Sequence, residues 1–108
     1  MSAVSPSLDV RVLDLGEMTV MGLDGDLVAE TAGQLTAEVD RALARSASTI
    51  VLDLSLVERI DGAASPALVE AARTVHEHDG RLVMRQPSSS TRAVLDLTGA
   101  SAVLEFTD

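Results

Sequence analysis

The stretch Val51–Arg73, "VLDLSLVERIDGAASPALVEAAR", contains the transition that decides the fold. The segment from Thr49 to Leu54 is almost continuously apolar, which is typical of a parallel strand covered on both faces or of a central strand in a mixed sheet. From Pro66 to His78 apolar residues recur at helical spacing, so this part predicts an amphipathic helix. Between the two lies Ile60–Pro66, "IDGAASP", a strand-to-helix turn with small side chains.

Two strands and a helix are predicted before this stretch. Apolar and charged residues alternate from Leu8 to Leu13, which indicates a half-buried edge strand. A short Gly-Glu turn separates it from a second strand, Met18 to Leu23, and a connection this short permits only an antiparallel hairpin. Thr31 followed by Gln34 has the spacing of a capping box, which predicts the start of an amphipathic helix.

The C-terminal part predicts a strand, a short helix and a last strand. Gly80 is expected to end the long helix, and Arg81–Gln86 to form the strand. The hydroxyl side chains in Ser88–Arg92 are expected to cap the short helix, and "AVLEF", Ala102–Phe106, to form the last strand. The element order is therefore β-β-α-β-α-β-α-β.

This order predicts an α/β fold with a mixed β-sheet of about five strands and about three helices largely on one face. The N-terminal hairpin is antiparallel and the remaining strands are mostly parallel. We expect residues 1–7 to form a disordered lead-in and residues 8–108 a single domain, since no repeat, linker or low-complexity tract divides the chain.

The composition excludes several classes of function. Of the 108 residues, 17 are acidic and 8 basic, and the formal charge of -9 disfavours binding to nucleic acid or to anionic membranes. Without Trp or Tyr, the chain has no aromatic platform for bases or sugars, and without Cys it has no disulfide and no thiolate chemistry. The N-terminus lacks a basic start and a long apolar run, so we expect a cytoplasmic protein.

The turn Ile60–Pro66 is the principal candidate site. In open sheets, ligands and partners engage beyond the carboxyl ends of the strands, next to the N-termini of helices. Asp24 and Asp26 reach the same edge if their strand runs parallel to the central one. The small side chains of Gly62, Ala63 and Ala64 would let a partner approach the backbone closely.

A purely structural interpretation of the turn also holds at this stage. Asp61 would then cap the helix by accepting hydrogen bonds from the amides of Ala63 or Ala64. Ser65 offers a second cap, with Pro66 at the first helical position. The sequence alone leaves both interpretations open.

No pattern in the chain predicts catalysis, a metal or a cofactor. His76 and His78 are two residues apart and would face different sides of a helix, whereas metal pairs on helices need a spacing of three or four. Ser65 has no base beside it in sequence, and no glycine-rich nucleotide loop is present. The hydroxyls of Ser88–Arg92 are explained by helix capping. We therefore predict a protein that is not an enzyme.

Three stretches together resemble a known family, the STAS domain (sulphate transporter and anti-sigma factor antagonist), and within it the single-domain bacterial anti-sigma factor antagonists. Gly22–Leu43 is similar to the family's Gly-Glu-Leu-Asp segment and first helix. Ile50–Ala71 is similar to its central strand and Asp-Ser-Ser-Gly turn, and Pro87–Phe106 to its last helix and closing strand. The likeness extends from Leu8 to Phe106.

The resemblance implies a partner switch. An unmodified antagonist binds an anti-sigma factor, usually a serine kinase of the histidine-kinase-like ATPase superfamily, and so frees a sigma factor for transcription. The kinase phosphorylates the second serine of Asp-Ser-Ser-Gly, and a phosphatase resets the switch. Two negative charges added at a closely packed helix entrance would expel the partner.

The chain departs from the family at the switch. Asp61 matches the motif, but Gly62 and Ala63 stand where the two serines are expected, and Ala64 replaces the glycine. Ala63, at the phosphoacceptor position, has no hydroxyl, and Ser65 is the nearest candidate substitute.

In the earlier loop Gly25, Asp26 and Leu27 match Gly-Glu-Leu, while Val28 stands where the family commonly has aspartate. We expect the partner to contact two segments, with these residues: Asp24, Asp26, Val28, Asp61, Gly62, Ala63, Ala64 and Ser65.

The resemblance therefore predicts an anti-sigma factor antagonist that lacks the standard phosphoswitch. Two alternatives remain open. One is a STAS module that responds to a nucleotide or another small anion bound at the helix entrance. The other is an accessory STAS subunit of a larger signalling or transport assembly.

Overall fold

A computed structural model describes residues 5–107 of the chain, and within them a hairpin and three strand-helix crossovers form one sheet. The elements in chain order are β1 (Leu8–Asp14), β2 (Met18–Leu27), α1 (Ala32–Ala44), β3 (Thr49–Ile60), α2 (Ala64–Glu77), β4 (Arg81–Arg85), α3 (Ser89–Leu97), a 3₁₀ turn (Ala100–Ala102) and β5 (Glu105–Thr107). The predicted element order is confirmed.

The five strands lie in the order β1-β2-β3-β4-β5. β1 pairs antiparallel with β2, and all the other neighbours are parallel. Each crossover steps to the next strand in the same direction, so right-handed connections place the helices on one face of the sheet. The predicted mixed sheet with an N-terminal hairpin is confirmed, as is the edge position of β1.

The core lies between the sheet and the helices. β3 supplies Ile50, Leu52 and Leu54, all fully buried, which explains why its sequence is so apolar. The buried stripe of each long helix packs against these side chains, with Leu35, Val39 and Ala42 from α1 and Leu68, Ala71 and Val75 from α2. No helix within residues 5–107 combines the length and the apolar character that crossing a bilayer requires.

β2 and β3 are longer than the sequence pattern predicts. Their ends, expected at Leu23 and Leu54, lie instead at Leu27 and Ile60, because the two strands continue to pair in parallel through two register irregularities. Gly25 permits this extension: its φ is +115°, and a Cβ there would lie 2.5 Å from the Ser7 carbonyl oxygen. Both strands thus reach the candidate turn.

The predicted start and stop of α2 are wrong by a few residues. The helix begins at Ala64 rather than Pro66, because the first amides of a helix have no intrahelical acceptor and a proline there removes no bond. Asp79, with φ of 60°, rather than Gly80 adopts the left-handed conformation at the other end. Gly80 is needed for space, since a Cβ would lie 2.8 Å from the Ser48 carbonyl oxygen.

The C-terminal elements also shift. β4 ends at Arg85, since Gln86 has a φ of 52° and leaves the strand. Within the predicted strand Ala102–Phe106, only Glu105 and Phe106 are extended, and the residues before them belong to the 3₁₀ turn and its exit. The cap of α3 is confirmed: Ser88 Oγ accepts a hydrogen bond from the Thr91 amide at 3.2 Å.

The predicted disordered lead-in, residues 1–7, falls mainly on residues 1–4, which lie outside the described part of the chain. Ser7 is held against β2, because its carbonyl oxygen accepts a hydrogen bond of 2.9 Å from the Asp26 amide.

Candidate functional site

Asp61 fixes the turn between β3 and α2. Its Oδ1 accepts hydrogen bonds from the amides of Ala63 at 3.1 Å and Ala64 at 3.2 Å, so the predicted cap is confirmed. Its Oδ2 accepts a third hydrogen bond, from the amide of Ala29 in the β2-α1 loop, at 3.3 Å. One carboxylate therefore caps α2 and also ties the two neighbouring loops together.

Thr31 organises the β2-α1 loop instead of forming the predicted capping box. Its Oγ1 donates to the Asp26 carbonyl oxygen at 2.6 Å and accepts from the Val28 amide at 3.1 Å. The Thr31 side chain makes no cap hydrogen bond to α1, so the predicted pairing with Gln34 is wrong. A buried hydroxyl finds stronger partners within the loop than in the exposed first turn of the helix.

Asp26 and Arg59 join the ends of β2 and β3 by an ion pair. The Arg59 guanidinium donates from Nε to Asp26 Oδ1 at 3.0 Å and from Nη2 to Oδ2 at 3.2 Å. The Asp26 side chain is only 16% exposed, whereas that of Arg59 is 62% exposed. The hydrogen bond from Arg59 lowers the pKa of Asp26 below its usual value and raises that of Arg59.

Asp24 does not join this group. It lies within the lengthened β2, where its Oδ2 is 3.5 Å from Nη2 of Arg11 on β1. The two aspartates that the sequence places together are therefore separated: Asp26 pairs with Arg59 near the end of β3, and Asp24 lies beside Arg11 of the hairpin.

The small residues of the turn divide into an exposed pair and a buried pair. Gly62 and Ala63 are exposed, and a Cβ at Gly62 would meet no atom within 4 Å. Ala64 is fully buried and Ser65 is 3% exposed, so both face the core. The outer surface of the turn thus consists of Gly62 and Ala63.

Ser65 is not a second cap, because it lies inside the first turn of α2. Its Oγ accepts a hydrogen bond of 2.7 Å from the Thr98 hydroxyl, which joins the start of α2 to the end of α3. An open groove of about 360 Å³ follows this contact, between Pro66 on one side and the exposed Val103 on the other.

The start of α2 offers few free donors to an anion. The Asp61 carboxylate already occupies the amides at the start of α2, and the groove is lined by no Arg or Lys. Among residues 5–107, no group of three potential metal ligands is present, and His78 Nδ1 lies 2.8 Å from the Thr74 carbonyl oxygen.

Four further residues contribute to this site and were not predicted: Ala29, Arg59, Thr98 and Val103. Arg59 could have been found from the parallel register, which places it opposite Asp26, but only once both strands are known to continue this far. Ala29, Thr98 and Val103 carry no local signal, since their role comes from long-range contacts.

The Asp26–Arg59 pair predicts an acid-dependent loss of stability. Because the pKa of Asp26 is lowered from 3.8 in the folded state, the pair stabilises the fold above that value and loses its effect as the pH falls through the folded pKa. Thermal unfolding of the wild type and of Arg59→Gln should therefore differ at about pH 6, and the difference should disappear as the pH falls below the lowered pKa of Asp26. A difference that persists unchanged at low pH would contradict this assignment.

Comparison with known proteins relates this architecture to one family. The family model described as "Mlab, STAS domain" matches residues 10–105. Among solved structures, the anti-sigma factor antagonist SpoIIAA in its unphosphorylated form is 18% identical, with a TM-score of 0.76, and the alignment covers 94% of this chain and 89% of that chain. An anti-sigma factor antagonist from Mycobacterium paratuberculosis is 23% identical, with a TM-score of 0.80 and coverage of 93% and 85%. No curated protein sequence matches the chain.

Proposed function

Since the chain belongs to the STAS domain family, we propose that it is an anti-sigma factor antagonist, a non-enzymatic protein that binds an anti-sigma factor and so releases a sigma factor for transcription. We place this function in the cytoplasm, where transcription occurs. The partner that best fits the family resemblance is an anti-sigma factor of the serine kinase type.

The observation that carries this proposal is the exposed turn before α2, whose outer residues have very small side chains. Gly62 and Ala63 are exposed beside Ala29, and Asp61 hydrogen-bonds to both loops. We call the exposed residues Ala29, Glu30, Gly62 and Ala63 the docking surface. It is preorganised, because the three hydrogen bonds of Asp61 fix the backbone, so this chain loses little conformational freedom when a partner binds.

The remaining residues expected at the interface support this surface in our proposal. Val28, Ala64 and Ser65 are buried below it and set the position of its backbone. Asp26 holds the end of β2 through Arg59, and Asp24 lies farther away on the rim.

We propose that the interaction is not switched by phosphorylation. Ala63 has no hydroxyl, and Ser65 is buried with its Oγ bonded to Thr98, so a kinase would have to unfold the first turn of α2 to reach it. The antagonist is then constitutively competent and is controlled by the relative amounts of the partners. It needs no phosphatase.

Calorimetric titration against the serine-kinase anti-sigma factors of the same genome tests the proposal. Binding of the wild type by at least one of them is expected, and Ala63→Glu should weaken it at least about tenfold, since a charge at a desolvated contact costs more than about 1.4 kcal/mol. Ala44→Glu is the matched control, since Ala44 is also exposed but lies at the far end of α1. Absence of binding to every such kinase would refute the proposal.

An accessory STAS subunit in a larger signalling or transport assembly is the second candidate. The missing acceptor at Ala63 favours it, because a permanent subunit contact needs no switch. Native mass spectrometry of complexes isolated from the source cells separates the two: a stoichiometric complex without an anti-sigma factor favours the subunit.

A further inference from the structure

The outer edge of β1 is a surface that the proposed function does not use. Two hydrogen bonds at the ends of the hairpin show which residues of β1 are hydrogen-bonded to β2. The Leu15 amide donates to the Met18 carbonyl oxygen at 2.8 Å, and the Asp26 amide donates to the Ser7 carbonyl oxygen at 2.9 Å. Bonded and free positions alternate along an antiparallel pair. The odd-numbered residues of β1 therefore direct their backbone groups toward β2, and the even-numbered residues direct theirs toward the free edge.

Charged side chains line this edge at Asp9, Arg11 and Asp14, but three other features that prevent strand pairing, proline, lysine and a β-bulge, are absent from β1. Val10 is only half-buried and Val12 is 38% exposed on the helix side of the sheet. Exposed strand edges without proline, bulge or lysine are templates for pairing with another strand.

We propose that a second copy of this chain binds here, with the two β1 strands antiparallel about a two-fold axis through Val10. The free backbone groups of Val10 then pair with those of the partner's Val10, and those of Leu8 with those of the partner's Val12. Asp9 lies opposite the partner's Arg11 on the other face, and the symmetry repeats this ion pair.

Charge selects this register over its neighbours. An axis through Asp9 would place two Asp9 side chains opposite each other, and an axis through Arg11 would do the same with two arginines. Both arrangements are unfavourable, whereas the Val10 register forms two cross-strand pairs of opposite charge. The surface is thus complementary to itself, which is why we assign it to a second copy rather than to an unrelated strand.

The groove beside β1 is compatible with the same contact. It measures about 430 Å³ and runs between Val10 and the start of α1, where Gly33 and Ala37 leave room. Pairing brings the two grooves edge to edge and covers the half-exposed valines. The formal charge of -9 on each copy opposes association, so we expect a weak dimer that forms at high protein concentration.

Sedimentation velocity over a concentration series tests the dimer. The wild type should dimerise. Arg11→Asp should weaken the dimer about tenfold, because it places an aspartate opposite Asp9 of the other copy at two symmetric positions. Asp9→Arg combined with Arg11→Asp should restore the dimer, because it exchanges the two charges. A wild type that is monomeric at every concentration, or an Arg11→Asp dimer of unchanged affinity, would overturn the proposal.

A proline pair tests the edge assignment itself. Val12→Pro removes an amide that faces outward, so the thermal midpoint should change little while the dimer is lost. Leu13→Pro is the control: it removes an amide that faces β2, and should lower the thermal midpoint strongly. A dimer that survives Val12→Pro would place the interface elsewhere. None of these outcomes depends on whether an anti-sigma factor binds.

Discussion

Replacement of Ala63 by serine is expected to turn this protein into a substrate of the serine kinase that we propose as its partner, while the wild type stays unmodified. Ala63 is exposed and has φ of -71° and ψ of -22°, a conformation that serine adopts without strain. The new hydroxyl would take the γ-phosphoryl group of ATP and release ADP and a proton. Intact-mass measurement after incubation with kinase and ATP detects the single added phosphate.

Phosphorylation of Ala63→Ser should then abolish docking. The phosphate adds about two negative charges next to the Asp61 carboxylate, and the nearby amides that could neutralise it already bind Asp61. We expect affinity for the kinase to fall about 100-fold or more, since like charges at an interface cost several kcal/mol.

Two controls make this result specific. Unphosphorylated Ala63→Ser should bind as the wild type does, and Ala93→Ser, a new hydroxyl at an exposed position of α3, should remain unmodified. Phosphate on Ser65 of the wild type, or undiminished binding of the phosphorylated variant, would refute the expectation.

The central features of the fold are predictable because each of them depends on a short sequence pattern within one element. The apolar run in β3 indicates that this strand is buried. The alternation of apolar and charged residues in β1 indicates an edge strand with one solvent-exposed face. The short Gly16-Glu17 turn leaves no option but an antiparallel hairpin, and Gly16 takes the required φ of +85°. From these three signals and the handedness of crossovers, a mixed sheet with an N-terminal antiparallel hairpin and helices on one face follows.

The lengths of the strands were not predictable in the same way. The residues of β3 after Leu54 have a weak apolar pattern, and Leu56 is 53% exposed. They adopt a strand conformation because β2 continues to pair with them. That continuation depends in turn on Gly25 beside Ser7. Pairing across the sheet, rather than local propensity, thus determines where both strands end.

The same distinction applies to the site. The cap by Asp61 was predictable, since its acceptors and donors lie within three residues. Its hydrogen bond to Ala29 spans 32 residues of sequence, and the Asp26–Arg59 pair spans 33, so neither leaves a local pattern. Thr31 shows the opposite case, in which a local capping motif is present but the hydroxyl binds its own loop instead.

Removal of the Asp61 carboxylate should cost stability as well as binding. Asp61→Ala leaves the amides of Ala63, Ala64 and Ala29 without their acceptor. Loss of a helix cap and of a further backbone hydrogen bond costs about 2 kcal/mol in free energy of unfolding, which for a domain of this size lowers the thermal midpoint by about 10 °C. Differential scanning calorimetry measures both quantities.

The two functions of the carboxylate can be separated by graded variants. Asp61→Asn keeps one acceptor oxygen for the amides at the start of α2, so the helix cap should remain. It turns an NH₂ group toward the Ala29 amide, so the hydrogen bond between the two loops should be lost. We therefore expect Asp61→Asn to be more stable than Asp61→Ala but to bind the anti-sigma factor nearly as poorly. Asp53→Ala is the control, because Asp53 Oδ1 accepts one local hydrogen bond, from the Ser55 amide, far from the docking surface. If Asp61→Asn bound as tightly as the wild type, the tie to Ala29 would be structural only, and docking would depend on the turn alone.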